Sequence, residues 1–170
     1  DTGLFGSYNL DNVRAAMAAG LLFEVPADDI VDAVSSYRPA NNRSQVTETG
    51  RNTVIRDAYN ANPSSMEKAI ASFAALKAEK KMVILGDMLE LGSESVAGHA
   101  AVVRQLRQIE GLLAVLVGPQ FREAAAEFPS QLFGSSEAAA EWLRSENPEG
   151  YTILVKGSRG MALEKVYPLL

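Results

Sequence analysis

The chain has 170 residues, 47% hydrophobic and 22% charged, which is enough for one full core or for one domain plus a fragment of another. Its 21 acidic and 16 basic residues leave a net charge of −5 and are scattered rather than blocked, which argues against a nucleic-acid surface or a basic membrane patch. The lack of cysteine excludes disulfides and thiolate metal sites, the single histidine argues against a histidine-based zinc centre, and no apolar stretch is long enough to span a bilayer.

With no signal-like N-terminus, a soluble cytoplasmic protein is the default expectation, and an opening on Asp1 rather than methionine suits an excised piece of a longer protein. In chain order, residues 9–19 read as a helix, with Leu10, Val13, Met17 and Leu21 near helical spacing and Gly20 as its stop. A second helix begins at Pro26, which suits a first helical position, and runs through Ile30, Val31 and Val34. The polar, proline-bearing stretch 38–43 marks a boundary, drawn between residues 39 and 40. Residues 46–48 and 53–55 flank Gly50 as a hairpin.

From Asp57 onward, helices and strands alternate. Asn62-Pro63 caps and starts a helix through Ile70, Phe73 and Leu76. Residues 82–85 and 112–117 are continuous apolar strands, 131–133 a weak one, and 151–155 another. Helices are expected over 99–109, 121–128, 136–144 (capped by Ser135 or Ser136) and 161–166. Apolar strands alternating with helices predict an α/β fold: a Rossmann-like, mainly parallel sheet with helices on both faces over residues 40–170, preceded by a short helical segment over 1–39.

Ligands of open α/β sheets bind just past the carboxyl ends of strands, and two polar motifs sit there. The first is Asp57-Ala58-Tyr59-Asn60-Ala61-Asn62-Pro63. A carboxylate at Asp57 suits two ribose hydroxyls, although a turn aspartate capping the next segment is the commoner use. Asn60 fits a turn, and Asn62 before Pro63 fits a helix cap. The second motif is Lys156-Gly157-Ser158-Arg159-Gly160. Its glycines free the backbone to approach a ligand, and its cations attract a carboxylate; a glycine-rich turn with solvated charges is the bland alternative. Asp87, in Gly86-Asp87-Met88-Leu89-Glu90-Leu91-Gly92, ends a neighbouring strand, as does Gly118-Pro119. Asn9 and Asn12 share one helix face, where Asn9 equally suits a cap. Arg43 in the linker reads as solvated, and His99 as structural or surface.

These motifs, together with Tyr8-Asn9-Leu10-Asp11-Asn12, give the chain a resemblance to the Mur ligase family, covering the end of its ATPase domain and its C-terminal domain. The branch most resembled joins D-alanyl-D-alanine to a UDP-muramoyl tripeptide; folylpolyglutamate synthase and a non-catalytic Rossmann-like binding module are the alternatives. The resemblance implies ATP contacts from Asn9, Asn12, Arg43 and Asp57. It implies substrate contacts from Asn60, Asp87, Lys156, Gly157, Ser158 and Arg159. It further implies ATP and Mg2+ held mainly by upstream domains of the same chain, acyl-phosphate chemistry, and a monomer. The family has His-Asn where this chain has Tyr8-Asn9. No Gly-x-x-x-x-Gly-Lys-Ser/Thr phosphate loop occurs, so the segment alone is expected to hold no catalytic residue, no metal ligand and no activity.

Overall fold

The computed structural model describes residues 2–39 and 41–170. Ala40, where the second expected domain begins, lies outside the described residues, as does Asp1.

A 3-10 turn, Ser7–Asn9, leads into α1 (Leu10–Leu22). Gly20 does not stop α1. The helix passes through it and is ended by Glu24, whose φ of 57° turns the chain left-handed while Val25 N–H donates to Gly20 O at 3.0 Å. Gly20 serves packing instead, since a Cβ there would lie 2.8 Å from the Ile30 side chain of α2 (Ala27–Ser36). Pro26 is the extended residue before α2, not its first turn.

The expected hairpin forms as β1 (Gln45–Glu48) and β2 (Thr53–Asp57), antiparallel about Gly50 at φ 85°. Asn62 caps α3 (Pro63–Ala74): its side chain accepts from Ser65 N–H, and Ser65 Oγ accepts from Asn62 N–H. There follow β3 (Lys80–Gly86), α4 (Ser95–Leu106), β4 (Leu112–Val117), α5 (Pro119–Ala124), β5 (Gln131–Phe133), α6 (Ser136–Glu146, capped by Ser135) and β6 (Tyr151–Lys156). The helix expected over 161–166 is instead two 3-10 segments, Arg159–Met161 and Leu163–Leu169. Left-handed Ala162 (φ 50°) separates them, and Pro168 supplies no N–H for an α-helical bond. Leu163 and Val166, three apart, bury one 3-10 face.

The sheet order is β1-β2-β6-β3-β4-β5, parallel throughout except for the β1 edge. Strands β3, β4 and β6 are apolar on both faces because helices cover both. Ile55, Val83, Leu85, Leu116 and Leu154 pack with Met66, Ile70 and Phe73 of α3 and Val102 and Leu106 of α4. Alternate residues Val54, Ile84, Val115, Ile153 and Val155 pack with Leu143 of α6 and with Leu163 and Val166. Such doubly covered strands bring their carboxyl ends together on one edge, where all the loops carrying the polar motifs emerge. Among the described residues, no helix is long and apolar enough to cross a membrane.

Candidate functional site

Asp57 and Lys156 are partners in the parallel register of β2 and β6. Both side chains therefore leave the same edge of the sheet, and Lys156 Nζ donates to Asp57 Oδ2 at 2.7 Å. The ion pair is buried, with side-chain exposures of 3% for Lys156 and 12% for Asp57. Lys156 Nζ also donates to Asn60 O at 3.1 Å, and Asp57 Oδ1 accepts from Ser44 N–H at 3.1 Å. Lys156 is thus turned inward, where it clamps the 57–60 loop, rather than outward toward a ligand. A buried charge is tolerable only when paired and hydrogen-bonded, and this one is both.

The network continues into the N-terminal segment. Ser44 Oγ shares a hydrogen bond with Tyr8 Oη at 3.1 Å and accepts one from Asn9 Nδ2 at 3.0 Å. Burial, then the nearby Asp57 charge, push the Tyr8 hydroxyl up to about 12, against an opposing pull from its Ser44 hydrogen bond. Asn9 Nδ2 also donates to Phe5 O, and Asn9 Oδ1 accepts from Asn12 Nδ2 at 3.1 Å. The Asn9 side chain caps no helix. Asn9 and Asn12 do share a face, and Asn12 is exposed.

Asp87 is turned into the protein. It is 1% exposed, and its two oxygens accept from Gln120 N–H (3.0 Å) and Phe121 N–H (2.9 Å) at the start of α5. Its charge suits that helix end, and the loop is built around it: a Cβ on Gly118 (φ 121°) would lie 2.2 Å from Asp87 Oδ2. His99 is fully buried. Its Nε2 accepts from Met88 N–H at 3.0 Å and its Nδ1 contacts Ser95 O at 2.7 Å, which fixes the Nδ1–H tautomer. An Nε2 already accepting a hydrogen bond does not donate to Asp87 Oδ1, 3.6 Å away.

Gly157 is also buried, and its bare backbone lets the β6 loop lie against β3: a Cβ would sit 3.0 Å from Gly86 Cα. Ser158 Oγ accepts from Leu89 N–H at 2.9 Å, and Ser158 N–H donates to Asp87 O at 3.2 Å, so the loops after β3 and β6 are tied together. The 3-10 segment following Ser158 is only three residues long and presents no α-helical N-terminus, contrary to the expected helix start.

What remains open to ligand is a cleft of about 580 Å³ between three loops: Tyr59 and Asn60 after β2, Leu89 and Glu90 after β3, and residues 158–160 after β6. Arg43 and Arg159 are exposed, and among the described residues neither is ion-paired. The Arg43 guanidinium lies 3.7 Å from the centroid of the Tyr59 ring and that of Arg159 lies 5.9 Å from it. The fold thus brings Asn60, Ser158 and Arg159 around one opening, with Arg43 stacked on its Tyr59 wall and the Asp57–Lys156 pair tied to Asn60 O. Reading the sequence assigned no role to Tyr59, Leu89 or Glu90. The available signal was an aromatic residue set between Asp57 and Asn60, directly past a strand end.

The Mur ligase, glutamate ligase domain family matches residues 42–159. The chain is 33% identical over 172 residues to the UDP-N-acetylmuramoyl-tripeptide–D-alanyl-D-alanine ligase of Treponema pallidum, covering 97% of this chain and 37% of that protein. It is 30% identical to the Bacillus subtilis enzyme of the same name, covering 96% and 38%. Its fold superposes on a crystal structure of MurF from Acinetobacter baumannii with a TM-score of 0.79 at 31% identity, covering 96% of this chain and 37% of that one. The chain therefore spans a little over a third of the length of the curated relatives it matches. Since the family match takes in well over half of the chain and includes every strand, this chain belongs to the Mur ligase family.

Proposed function

We propose that this chain supplies the closing half of the active site in an ATP-driven ligase that joins D-alanyl-D-alanine to a UDP-N-acetylmuramoyl tripeptide. The observation that carries the reading is the meeting of the β2 and β6 loops. There Arg159 lines a cleft whose Tyr59 wall carries Arg43, neither arginine ion-paired among the described residues, and the buried Asp57–Lys156 pair anchors the same 57–60 loop. The relatives that cover nearly the whole chain carry that enzyme's name. Residues 1–39 are the tail of the central ATPase domain. Leu21, Leu22 and Phe23, each more than half exposed on the α1–α2 hairpin, suit a surface covered by the rest of that domain.

Within this assignment Arg43 serves the nucleotide. Its planar, unpaired guanidinium fits phosphate or ribose oxygens. Asp57, with one protein donor on each oxygen, retains lone pairs on its slightly exposed side for a ribose hydroxyl. Asn12 is exposed on the same helix face as Asn9, and Asn9 positions it. Asn60 and Arg159 serve the incoming dipeptide, with Arg159 on its unreactive carboxylate. Ser158 and Gly157 fix the loop that presents Arg159, and Asp87 fixes the loop opposite. Mg2+ is assigned, with the ATP phosphates, mainly to the upstream part of the full-length protein. ATP with Mg2+ supplies acyl activation. The residues of this chain bind and orient, and orientation of an amine against an activated carboxylate is itself worth several orders of magnitude in rate.

Steady-state kinetics on the full-length protein test this. Arg159→Ala should raise KM for D-alanyl-D-alanine roughly tenfold or more, the loss expected from a charge-assisted hydrogen bond of about 1.5–3 kcal/mol, and leave KM for ATP nearly unchanged. Arg43→Ala should do the reverse. The 170-residue chain alone should release no phosphate from ATP above background. Equal effects of either variant on both KM values would overturn the assignment of the two arginines.

A further inference from the structure

Tyr59 lines the cleft but has no part in the binding or chemistry assigned above. The residue is 41% exposed, yet its position is fixed from both sides. Asp57, two residues before, is held by Lys156 Nζ, and Asn60, one residue after, gives its carbonyl to the same ammonium. Asn60 Oδ1 further accepts from Ala61 N–H at 2.8 Å, and Ala58 and Ala61 are buried. The loop is therefore anchored by its small residues while its one large side chain points out.

Two cations share that ring. Arg43 is stacked in van der Waals contact, and Arg159 lies just inside the range of a cation–π attraction. They come from opposite ends of the domain, Arg43 from before β1 and Arg159 from after β6. No carboxylate is paired to either among the described residues, and the electron-rich Tyr59 ring is the group that both cations approach. A long side chain left free loses rotamer entropy when it binds, and a preset platform lowers that cost.

We propose that Tyr59 is a positioning residue that presets both arginines, and so couples the nucleotide side of the cleft to the dipeptide side. The coupling rests on the ligase reading above; the platform itself does not. The phenol oxygen makes no hydrogen bond among the described residues, so the ring alone carries the role.

Two measurements on the full-length protein test it. In arginine-labelled protein, the side-chain NMR signals of Arg43 should carry a ring-current shift that vanishes in Tyr59→Leu and persists in Tyr59→Phe. If Tyr59→Leu leaves those signals unmoved, the platform is refuted whether or not the protein is a ligase. In kinetics, Tyr59→Leu should raise KM for both ATP and D-alanyl-D-alanine about two- to fivefold, with kcat nearly constant and Tyr59→Phe restoring both. Adding Arg43→Ala to Tyr59→Leu should raise KM for ATP less than the product of the single effects. Multiplicative effects, or a KM change for one substrate alone, would refute the coupling. Failure of the wild-type protein to join the dipeptide would instead refute the ligase reading and leave the NMR result to decide the platform.

Discussion

Replacing Lys156 by methionine removes one half of the buried ion pair while nearly preserving the shape of the side chain. Asp57 would keep the Ser44 N–H at 3.1 Å but lose the ammonium at 2.7 Å, and Asn60 O would lose its donor. At 2.7 Å and an effective dielectric near 20, the Coulomb attraction lost is about 6 kcal/mol before solvation is counted. Water offsets part of this, because the Asp57 side chain is 12% exposed and can be partly rehydrated. Breaking buried pairs costs roughly 3–5 kcal/mol, and the exposure places this case near the lower end, about 3 kcal/mol. For a chain of this length that corresponds to about 6–12 °C in Tm. Urea unfolding of the wild type, Lys156→Met and the Lys156→Met/Asp57→Asn double variant measures it. The double variant should regain a substantial part of the loss, because the remaining amide still accepts from Ser44 and no unpaired charge is buried. A loss below about 1 kcal/mol for Lys156→Met, or strict additivity of the two changes, would refute the view that Lys156 acts inward on Asp57.

Gly118→Ala should destabilise the fold by more than about 3 kcal/mol, since it forces a Cβ into the Asp87 carboxylate at 2.2 Å on a residue whose φ of 121° already disfavours a side chain; wild-type-like urea midpoints would show that the β4–α5 turn is not built around Asp87. Burial raises the Tyr8 hydroxyl from its ordinary value of 10.0 to about 12 in the folded protein, so the stability it contributes is complete below pH 10 and is lost as pH rises toward 12. Tyr8→Phe should therefore flatten the fall in stability across that window relative to wild type. Tyr167, also raised by burial, should leave a residual fall. Parallel wild-type and variant curves would show that Tyr8 is not buried beside Asp57.

The strands were legible because each carries its own signal. The runs 82–85, 112–117 and 151–155 are apolar on both faces, which only a sheet covered on both sides requires. The start of α3 was equally local, with Asn62, Pro63 and Ser65 forming a complete cap within four residues. Gly20 misled because a glycine at the end of an apolar stripe looks the same whether it ends a helix or lets Ile30 approach. The end of the chain misled because the pattern 161–166 has an apolar spacing compatible with either helix type, and the choice turned on Ala162 and Pro168.

For the candidate site, the sequence marked loops that line the cleft but not the direction of their side chains. It determined that polar segments follow β2, β3 and β6, and that these strands end on one edge, because strand periodicity and turn chemistry are properties of neighbouring residues. Tertiary structure decided the partners. Lys156 meets Asp57 across 99 positions because the parallel register of β2 and β6 sets them side by side. Asp87 was drawn to the start of α5 and His99 to Met88 N–H for the same kind of reason. Which charge turns inward to a buried partner and which, like Arg43 and Arg159, stays free over Tyr59 depends on desolvation and on contacts between distant segments.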